Sequence, residues 1–376
     1  MKKSFLVSLL FVLILSGITY SQTTHAEPKT LEPGVKAPDF SLRGVDGKIY
    51  TLNDFNKSAV LVIIFSCNHC PTAQAYEDRI ISLSNDYRSK GVGLAVISSN
   101  AVKALNYSEL GYTDMGDSFE EMKQRASDKK FNFPYLYDGE DQKTALTYGP
   151  VATPHCFVFD RDRILRYTGR IDGSEKPGTG TGEDIRSAID AVLAGTQVKT
   201  PVTKVFGCSM KWSWKDEYTM RLYKQWSELP VYLSDIDENG VKELIRNASS
   251  GKLRLINIWA TWCGPCITEF PDLVVIDRMY RGRPFEFVTI SADKLSKKDD
   301  ALKFLQKQEA SNKNYIFNKD DVYQLIEAVD PDWQGALPYT LLIEPGGKIL
   351  YKKQDMIDPH LMKKVIVDSK YIGRYY

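Results

Sequence analysis

At 376 residues the chain is too long for one ordinary hydrophobic core and suits two domains. A hydrophobic content of 43% and a charged content of 26% are globular values. Lys and Arg total 49 against 48 Asp and Glu, and the net charge of +1 argues against nucleic acid or another polyanion as partner.

The first segment is a targeting signal and not part of a fold. Lys2 and Lys3 precede an apolar run from Phe5 to Leu15, followed by small residues. That is the n-region and h-region of a secretory leader, and the run is short for a membrane span. Thr19 and Ser21 suit cleavage before Gln22, and Ala26 offers a second site, so the leader is assigned to 1–26. No cysteine follows Leu15-Ser16-Gly17, so a lipoprotein anchor is not indicated. The expectation is an exported protein, in a bacterial periplasm, with an uncleaved membrane anchor as the alternative.

Residues 37–55 read as a hairpin, with SLRGV and KIYTL flanking Asp46-Gly47. AVLVIIF at 59–65 is a continuous β-branched run, the mark of a strand buried on both faces. Helical spacing follows from Pro71 to Tyr87, then a second buried strand at 91–99, a helix around 117–129, and FPYLYD at 133–138. A hairpin at 152–171 and a helix at 182–195 complete the half. GTGTG at 178–182 is not a phosphate loop, because no Gly-Lys-Ser/Thr follows it.

The second half repeats this order. It has a helix at 235–247, a buried strand at 253–260, a helix beginning at the cysteines, a strand at 285–292 and a helix near 298–309. A hairpin at 337–353 with a Pro-Gly-Gly turn and a helix near 358–369 close it. Strands alternating with helices and ending in a hairpin imply an α/β class with parallel strand pairs plus an antiparallel edge. The domains are set at 31–200 and 231–376. Residues 201–230 form a linker whose VFGCSMKWSWKDEY holds four aromatic residues. It is read as packing on one domain, or alternatively as a docking arm between the two.

Four of the six cysteines form two C-x-x-C pairs, Cys67/Cys70 and Cys263/Cys266. Such a pair closes almost no loop and adds little stability, so its use is redox chemistry or metal. Each pair sits where a buried strand hands over to a helix. The first cysteine is therefore expected at a helix N-terminus, where unpaired N–H groups and the dipole stabilise a thiolate. Cys67 and Cys263 are the expected attacking sulfurs, with Cys70 and Cys266 one turn later to expel them. Thr153-Pro154 and Leu337-Pro338 open the hairpin strands. If those bonds are cis, the backbone before each proline can present its carbonyl and amide to an extended substrate.

These units resemble two thioredoxin-fold domains in tandem. The second half resembles the TlpA/ResA-like thiol–disulfide oxidoreductases through WATWCGPC, EFP and GALPYTLLIEPGGKI. The first resembles the redoxin-like, peroxiredoxin-related branch through APDFSL, CNHCP, YEDRI, TPHCFVFD and GRIDG. The resemblance implies α/β folds with a mixed central sheet, no cofactor, and exported proteins carrying thiols or disulfides as partners. It also implies a membrane thiol reductase of the DsbD/CcdA type as electron donor. Thioredoxin carries a buried Asp six residues before the first cysteine, where this chain has Leu61 and Asn257. ResA-like proteins place a glutamate where Glu269 stands, which implies a proton acceptor for Cys266. Ala73 holds that place in the first half, and Glu77 is read as a surface residue. Gly264-Pro265 is the dipeptide of a reducing pair, whereas Asn68-His69 resembles the loops of disulfide oxidants. A charged histidine favours the thiolate and so raises the potential, which gives the two pairs different poises.

A zinc site shared by four cysteines is disfavoured because each pair has its own strand and helix, and no metal is expected. Haem attachment is excluded by Pro71 and Ile267 after the pairs. Cys156 and Cys208 are read as passive packing, with a mutual disulfide or a third redox thiol as alternatives. The functional expectation is a thiol–disulfide oxidoreductase. The alternatives are a peroxidase of the peroxiredoxin class in the first half, or a non-enzymatic binding or chaperone module. Peroxiredoxins place a threonine three residues before the peroxidatic cysteine, and that signature is absent here: Ile64 holds the place before Cys67, and Cys67 holds it before Cys70.

Overall fold

The computed structural model describes residues 25–374, so residues 1–24 of the expected leader lie outside the described part. Among the described residues no helix is long and apolar enough to cross a membrane.

The first half runs β1 (Ser41–Gly44), β2 (Ile49–Thr51), β3 (Val60–Ser66), α1 (Pro71–Arg88), β4 (Val92–Ser98) and α2 (Phe119–Lys129). It continues with β5 (Tyr135–Tyr137), α3 (Lys143–Tyr148), β6 (Ala152–Thr153), β7 (His155–Phe159), β8 (Leu165–Gly169) and α4 (Glu183–Leu193). Between the halves lie β9 (Cys208–Ser209) and α5 (Asp216–Ser227). The second half holds β10 (Ser234–Ile236), α6 (Glu238–Arg246), β11 (Leu253–Trp259), α7 (Gly264–Tyr280), β12 (Phe285–Ser291) and α8 (Lys298–Lys307). It ends with β13 (Lys313–Phe317), α9 (Val322–Val329), β14 (Tyr339–Ile343), β15 (Ile349–Gln354) and α10 (Pro359–Val367).

Two mixed sheets result, in the orders β2-β1-β5-β4-β3-β7-β8 and β10-β13-β12-β11-β14-β15. In each, the strand before the cysteines is parallel to one neighbour and antiparallel to the hairpin strand on its other side. Alternation along β3 explains its unbroken apolar run. Val60, Val62 and Ile64 enter one core layer, and Leu61, Ile63 and Phe65 enter the other. β11 divides likewise, with Leu253 and Leu255 on one face and Ile256 and Ile258 on the other. The Asp46-Gly47 turn forms as read, with Gly47 at φ +84°.

The sequence reading passes over α3, β13 and α9, and begins the second half with a helix where β10 comes first. It also misses the structure of 201–230. This segment touches both halves. Met210 and Trp212 are buried in the first half's core. Thr219 Oγ1 in α5 donates to the Ala104 carbonyl at 3.2 Å, and Tyr223 and Trp226 stack with Tyr107. The guanidinium groups of Arg278 in α7 and of Arg281, which caps its C-terminus, lie over Trp226. The loop between β4 and α2 reaches the same place, where Leu105 and Leu110 are buried beside Met279, Tyr280 and Phe285.

Candidate active site

In the second half, β11 delivers the chain to a loop anchored by Asp293, whose carboxylate accepts from Thr261 N and Oγ1. α7 then starts at Gly264 with Pro265 in its first turn, a position that costs no hydrogen bond. Cys263 is the N-cap, and its sulfur accepts from Cys266 N at 3.2 Å. Cys263 and Cys266 form a disulfide. They pack with Trp259, Phe270 and Leu305, while Trp262 next to them is 71% exposed. Leu337-Pro338 is cis, and Leu337 packs on the same cluster. Glu269, one turn beyond Cys266, is buried. It accepts from Asn257 Nδ2 at 2.9 Å and from Ile357 N at 2.8 Å. Burial outweighs these two donors and pushes its carboxyl up to about 6.

In the first half the arrangement departs from expectation. α1 begins at Pro71, so the N-cap is Cys70, and Cys67 lies outside the helix. The physical reason is Asn68-His69, which is held as a loop. Asp117 Oδ1 accepts from the backbone N–H groups of Asn68 and His69 at 2.8 and 2.9 Å. Asp117 Oδ2 meets His69 Nδ1 at 2.6 Å and accepts from Asn100 Nδ2 at 2.8 Å. Burial disfavours a charged His69, but Asp117 prevails and raises its pKa; the same pairing lowers that of Asp117 despite burial.

The two sulfurs are pushed apart. Burial raises the Cys67 thiol well above its usual range, helped by its hydrogen bond to Cys70 and by Asp117. Burial opposes ionisation of Cys70 too, but hydrogen bonds from Cys208 and Cys67, the nearby His69 and the Ala73 N–H together hold it well below that range. The surroundings therefore favour ionisation of Cys70 over Cys67, the reverse of what the spacing suggests. Thr153-Pro154 is cis, and Thr153 Oγ1 shares a hydrogen bond of 3.1 Å with Cys67 Sγ.

Two further expectations are corrected. Glu77 is buried, held by Arg125 through Nε–Oε1 at 2.6 Å and NH2–Oε2 at 2.7 Å, rather than exposed. Cys208 does not meet Cys156. Cys156 is packed in the first half's core, while Cys208 N donates to Cys70 Sγ at 3.4 Å. Sequence reasoning also missed Asp117, which lies far from the cysteines along the chain. The nearest approach to a metal-ligand set among the described residues is Cys67, His69 and Asp117, with donor atoms within 4.8 Å of one another. The Asp117 carboxylate is already filled by its four N–H partners, which fits an anchor for the loop better than a metal ligand.

The AhpC/TSA family model matches residues 33–168, and the Redoxin model matches residues 235–367. Thiol-disulfide oxidoreductase ResA of Bacillus subtilis is 28% identical over 124 residues, which is 33% of this chain and 64% of ResA. Thiol:disulfide interchange protein CycY of Rhizobium leguminosarum is 33% identical over 113 residues, 28% of this chain and 52% of CycY. The matches thus span less than two thirds of these two relatives. Among solved structures, an uncharacterized conserved protein from Geobacillus kaustophilus is 39% identical with a TM-score of 0.43, covering 50% of this chain and 95% of that one. A hypothetical protein from Sinorhizobium meliloti is 33% identical with a TM-score of 0.43, covering 50% and 98%. The chain therefore carries two thioredoxin-fold redoxin domains in tandem, the first of the AhpC/TSA family and the second of the Redoxin family with ResA-like relatives.

Proposed function

We propose that this chain is an exported thiol–disulfide oxidoreductase whose second domain exchanges disulfides with protein thiols. One observation carries the reading: a Cys263–Cys266 disulfide capping α7, beside a cis Leu337-Pro338 bond and the exposed Trp262. In the reduced enzyme the helix N-terminus favours a Cys263 thiolate, which attacks a client disulfide and releases one client thiol. Cys266 gives its proton to Glu269, attacks Cys263 in the mixed disulfide and releases the second client thiol. Backbone at Leu337 holds the client as an extended strand. Clients are exported proteins carrying thiols or disulfides, and a membrane thiol reductase of the DsbD/CcdA type restores the dithiol. The names of the ResA and CycY relatives support this chemistry. A His69 kept charged by Asp117 favours the Cys70 thiolate and with it a reduced first pair, so that pair has the higher potential.

A second reading, peroxide reduction by the first domain, is favoured by its AhpC/TSA match and by the Cys70 thiolate, although Cys67 stands where peroxiredoxins carry threonine. Insulin reduction and peroxide consumption measured side by side separate the readings. Insulin reduction lost in Cys263→Ser supports the first. Peroxide consumption that survives Cys263→Ser and is lost in Cys70→Ser supports the second. Neither activity would leave a binding module on a redoxin scaffold.

A further inference from the structure

The edge of the first domain beside its cis proline is already occupied by the chain itself. β9 pairs antiparallel with β6, Thr153 opposite Cys208 and Ala152 opposite Ser209. This is the register an extended peptide adopts when it adds a strand to an open edge. Gly207 makes the approach possible. It sits at φ +136°, and a Cβ there would stand 2.1 Å from the Thr153 carbonyl oxygen. The flanks are pinned on both sides. Thr203 N donates to Thr168 O at 3.1 Å upstream. Downstream, Lys211 N donates to Asn100 Oδ1 at 2.9 Å, Ala101 N donates to Lys211 O at 2.8 Å, and Trp212 is buried. By contrast, among the described residues no strand pairs with Leu337 at the corresponding edge of the second domain.

This strand brings a third sulfur to the first pair. Cys67, Cys70 and Cys208 form one cluster with Ala73. Cys208 N donates to Cys70 Sγ at 3.4 Å, and Cys67 lies on the Thr153 hydroxyl. Cys70 is thus flanked by two thiols on two different segments.

We propose that Cys208 is a tethered exchange partner of Cys70, so that the oxidised first domain distributes between a Cys67–Cys70 and a Cys70–Cys208 disulfide. The proposal rests on the reading that the first pair undergoes thiol–disulfide exchange. Oxidation to Cys67–Cys70 passes two electrons and two protons to a client disulfide, which leaves as two thiols. Cys208, once deprotonated, then attacks Cys70 Sγ. The Cys67–Cys70 bond breaks, the Cys70–Cys208 bond forms, and Cys67 leaves as a thiolate stabilised by the Thr153 hydroxyl before it takes up the proton that Cys208 gave up. No electron leaves the chain in this step. Cys208 is held against Cys70 by the backbone of β9, so an oxidised Cys70 presents it with an attackable sulfur. While it holds, β9 closes the edge to protein strands, and the Cys70–Cys208 bond fastens it there.

The test uses the full chain carrying Cys67→Ser, reduced and then treated with glutathione disulfide, quenched in acid and mapped by mass spectrometry without reduction. The expected product is a peptide pair joined through Cys70 and Cys208, its formation releasing two glutathione thiols besides the two released by Cys263 and Cys266. Glutathione should persist on Cys70 about tenfold longer when Cys208→Ser is added. Gly207→Val in the Cys67→Ser background should lower the yield of the joined pair while leaving Cys70 reactive to glutathione. If Cys70 stays glutathionylated with Cys208 free, the tethered partner is ruled out, while Cys67–Cys70 formation in the unmutated chain keeps the exchange reading. If neither Cys67 nor Cys70 reacts in the unmutated chain, both readings of the first domain are lost.

Discussion

Asn257 Nδ2 donates to Glu269 Oε1 at 2.9 Å, joining the strand position six residues before Cys263 to the helix position one turn after Cys266. The same amide donates to Thr340 Oγ1 at 3.0 Å, so β11, α7 and β14 are tied together behind the disulfide. Burial pushes the Glu269 carboxyl up to about 6, so it changes charge near neutral pH. Glu269→Gln should slow disulfide reduction by the second domain about tenfold. The unmutated rate should rise with pH through about 6 as the carboxyl becomes able to accept a proton, and the variant should lack that rise. Stability supplies a second sign. A carboxyl raised in the folded state contributes stability below its unfolded value of 4.5, lost as pH rises through about 6. The thermal midpoint of the unmutated protein should therefore fall relative to the variant over that window. An unchanged rate profile between pH 5 and 9 would make Glu269 a packing residue only.

Asp117 acts on Cys70 through His69. Asp117→Asn removes the carboxylate that keeps His69 charged, which in turn removes a charge that stabilises the Cys70 thiolate. The Cys70 pKa should rise, and alkylation of Cys70 at pH 6 should slow about tenfold. The sign for stability follows from the raised His69 pKa. The pair's contribution is fully present below 6.5 and is lost as pH rises through the folded value. The thermal midpoint lost in Asp117→Asn should therefore be larger at pH 6 than at pH 9. Absorbance of the thiolate near 240 nm, followed by pH titration in a Cys263→Ser/Cys266→Ser background, checks the first effect directly.

Alkylation order should differ between the domains. In the reduced protein, Cys263 caps α7 and lies slightly nearer solvent than the fully buried Cys266, so Cys263 should react first. In the first domain Cys70 should precede Cys67 with a small reagent such as iodoacetamide, because the thiolate, not the thiol, is the nucleophile. Mass mapping after brief alkylation decides it, and Cys67 reacting ahead of Cys70 would overturn the thiolate assignment.

The contrast between these domains marks what the sequence made legible. The buried strands and the helices after them were readable because β3 and β11 are long and apolar on both faces. The hairpin turns were readable from Asp46-Gly47 and Pro345-Gly346-Gly347, which demand positive φ. The start of α1 at Pro71 is legible, but its consequence was passed over: Pro71 in the first helical position makes Cys70 the cap and leaves Cys67 outside the helix. Asp117 gave no local signal, because its meeting with His69 is made by the fold. β9 is two residues long and exists only because Thr153 lies opposite. The aromatic residues of 201–230 showed that the segment would pack, but not that Trp226 would bridge Tyr107 of the first domain and Arg278 of the second. β13 was hidden by length and by its Lys and Asn.

The domain interface bears on whether the two pairs pass electrons to each other. Tyr280, the last residue of α7, donates its hydroxyl proton to the Thr113 carbonyl at 2.6 Å. Gln74 Nε2 donates to Thr113 Oγ1 and to the Asn68 carbonyl, each at 2.6 Å, and Arg374 NH1 donates to Gln74 Oε1 at 2.7 Å. The Asn68-His69 loop therefore faces the C-terminal end of α7, while Cys263 caps its N-terminal end. The helix between, Gly264–Tyr280, is about 24 Å long at 1.5 Å per residue, and disulfide exchange needs the sulfurs in contact. Direct transfer cannot occur in the docked arrangement, so any exchange between the pairs requires a second chain or parting of the domains. When a fully oxidised chain is given less than one equivalent of dithiol and quenched over time, redistribution between the pairs should speed up with protein concentration. Tyr280→Phe with Arg374→Ala loosens the docking, each lost hydrogen bond being worth about 1 kcal/mol. That variant should redistribute faster at low concentration than the unmutated chain. Rapid redistribution in the unmutated chain that does not depend on concentration would show that the domains separate readily, and would restore an internal relay.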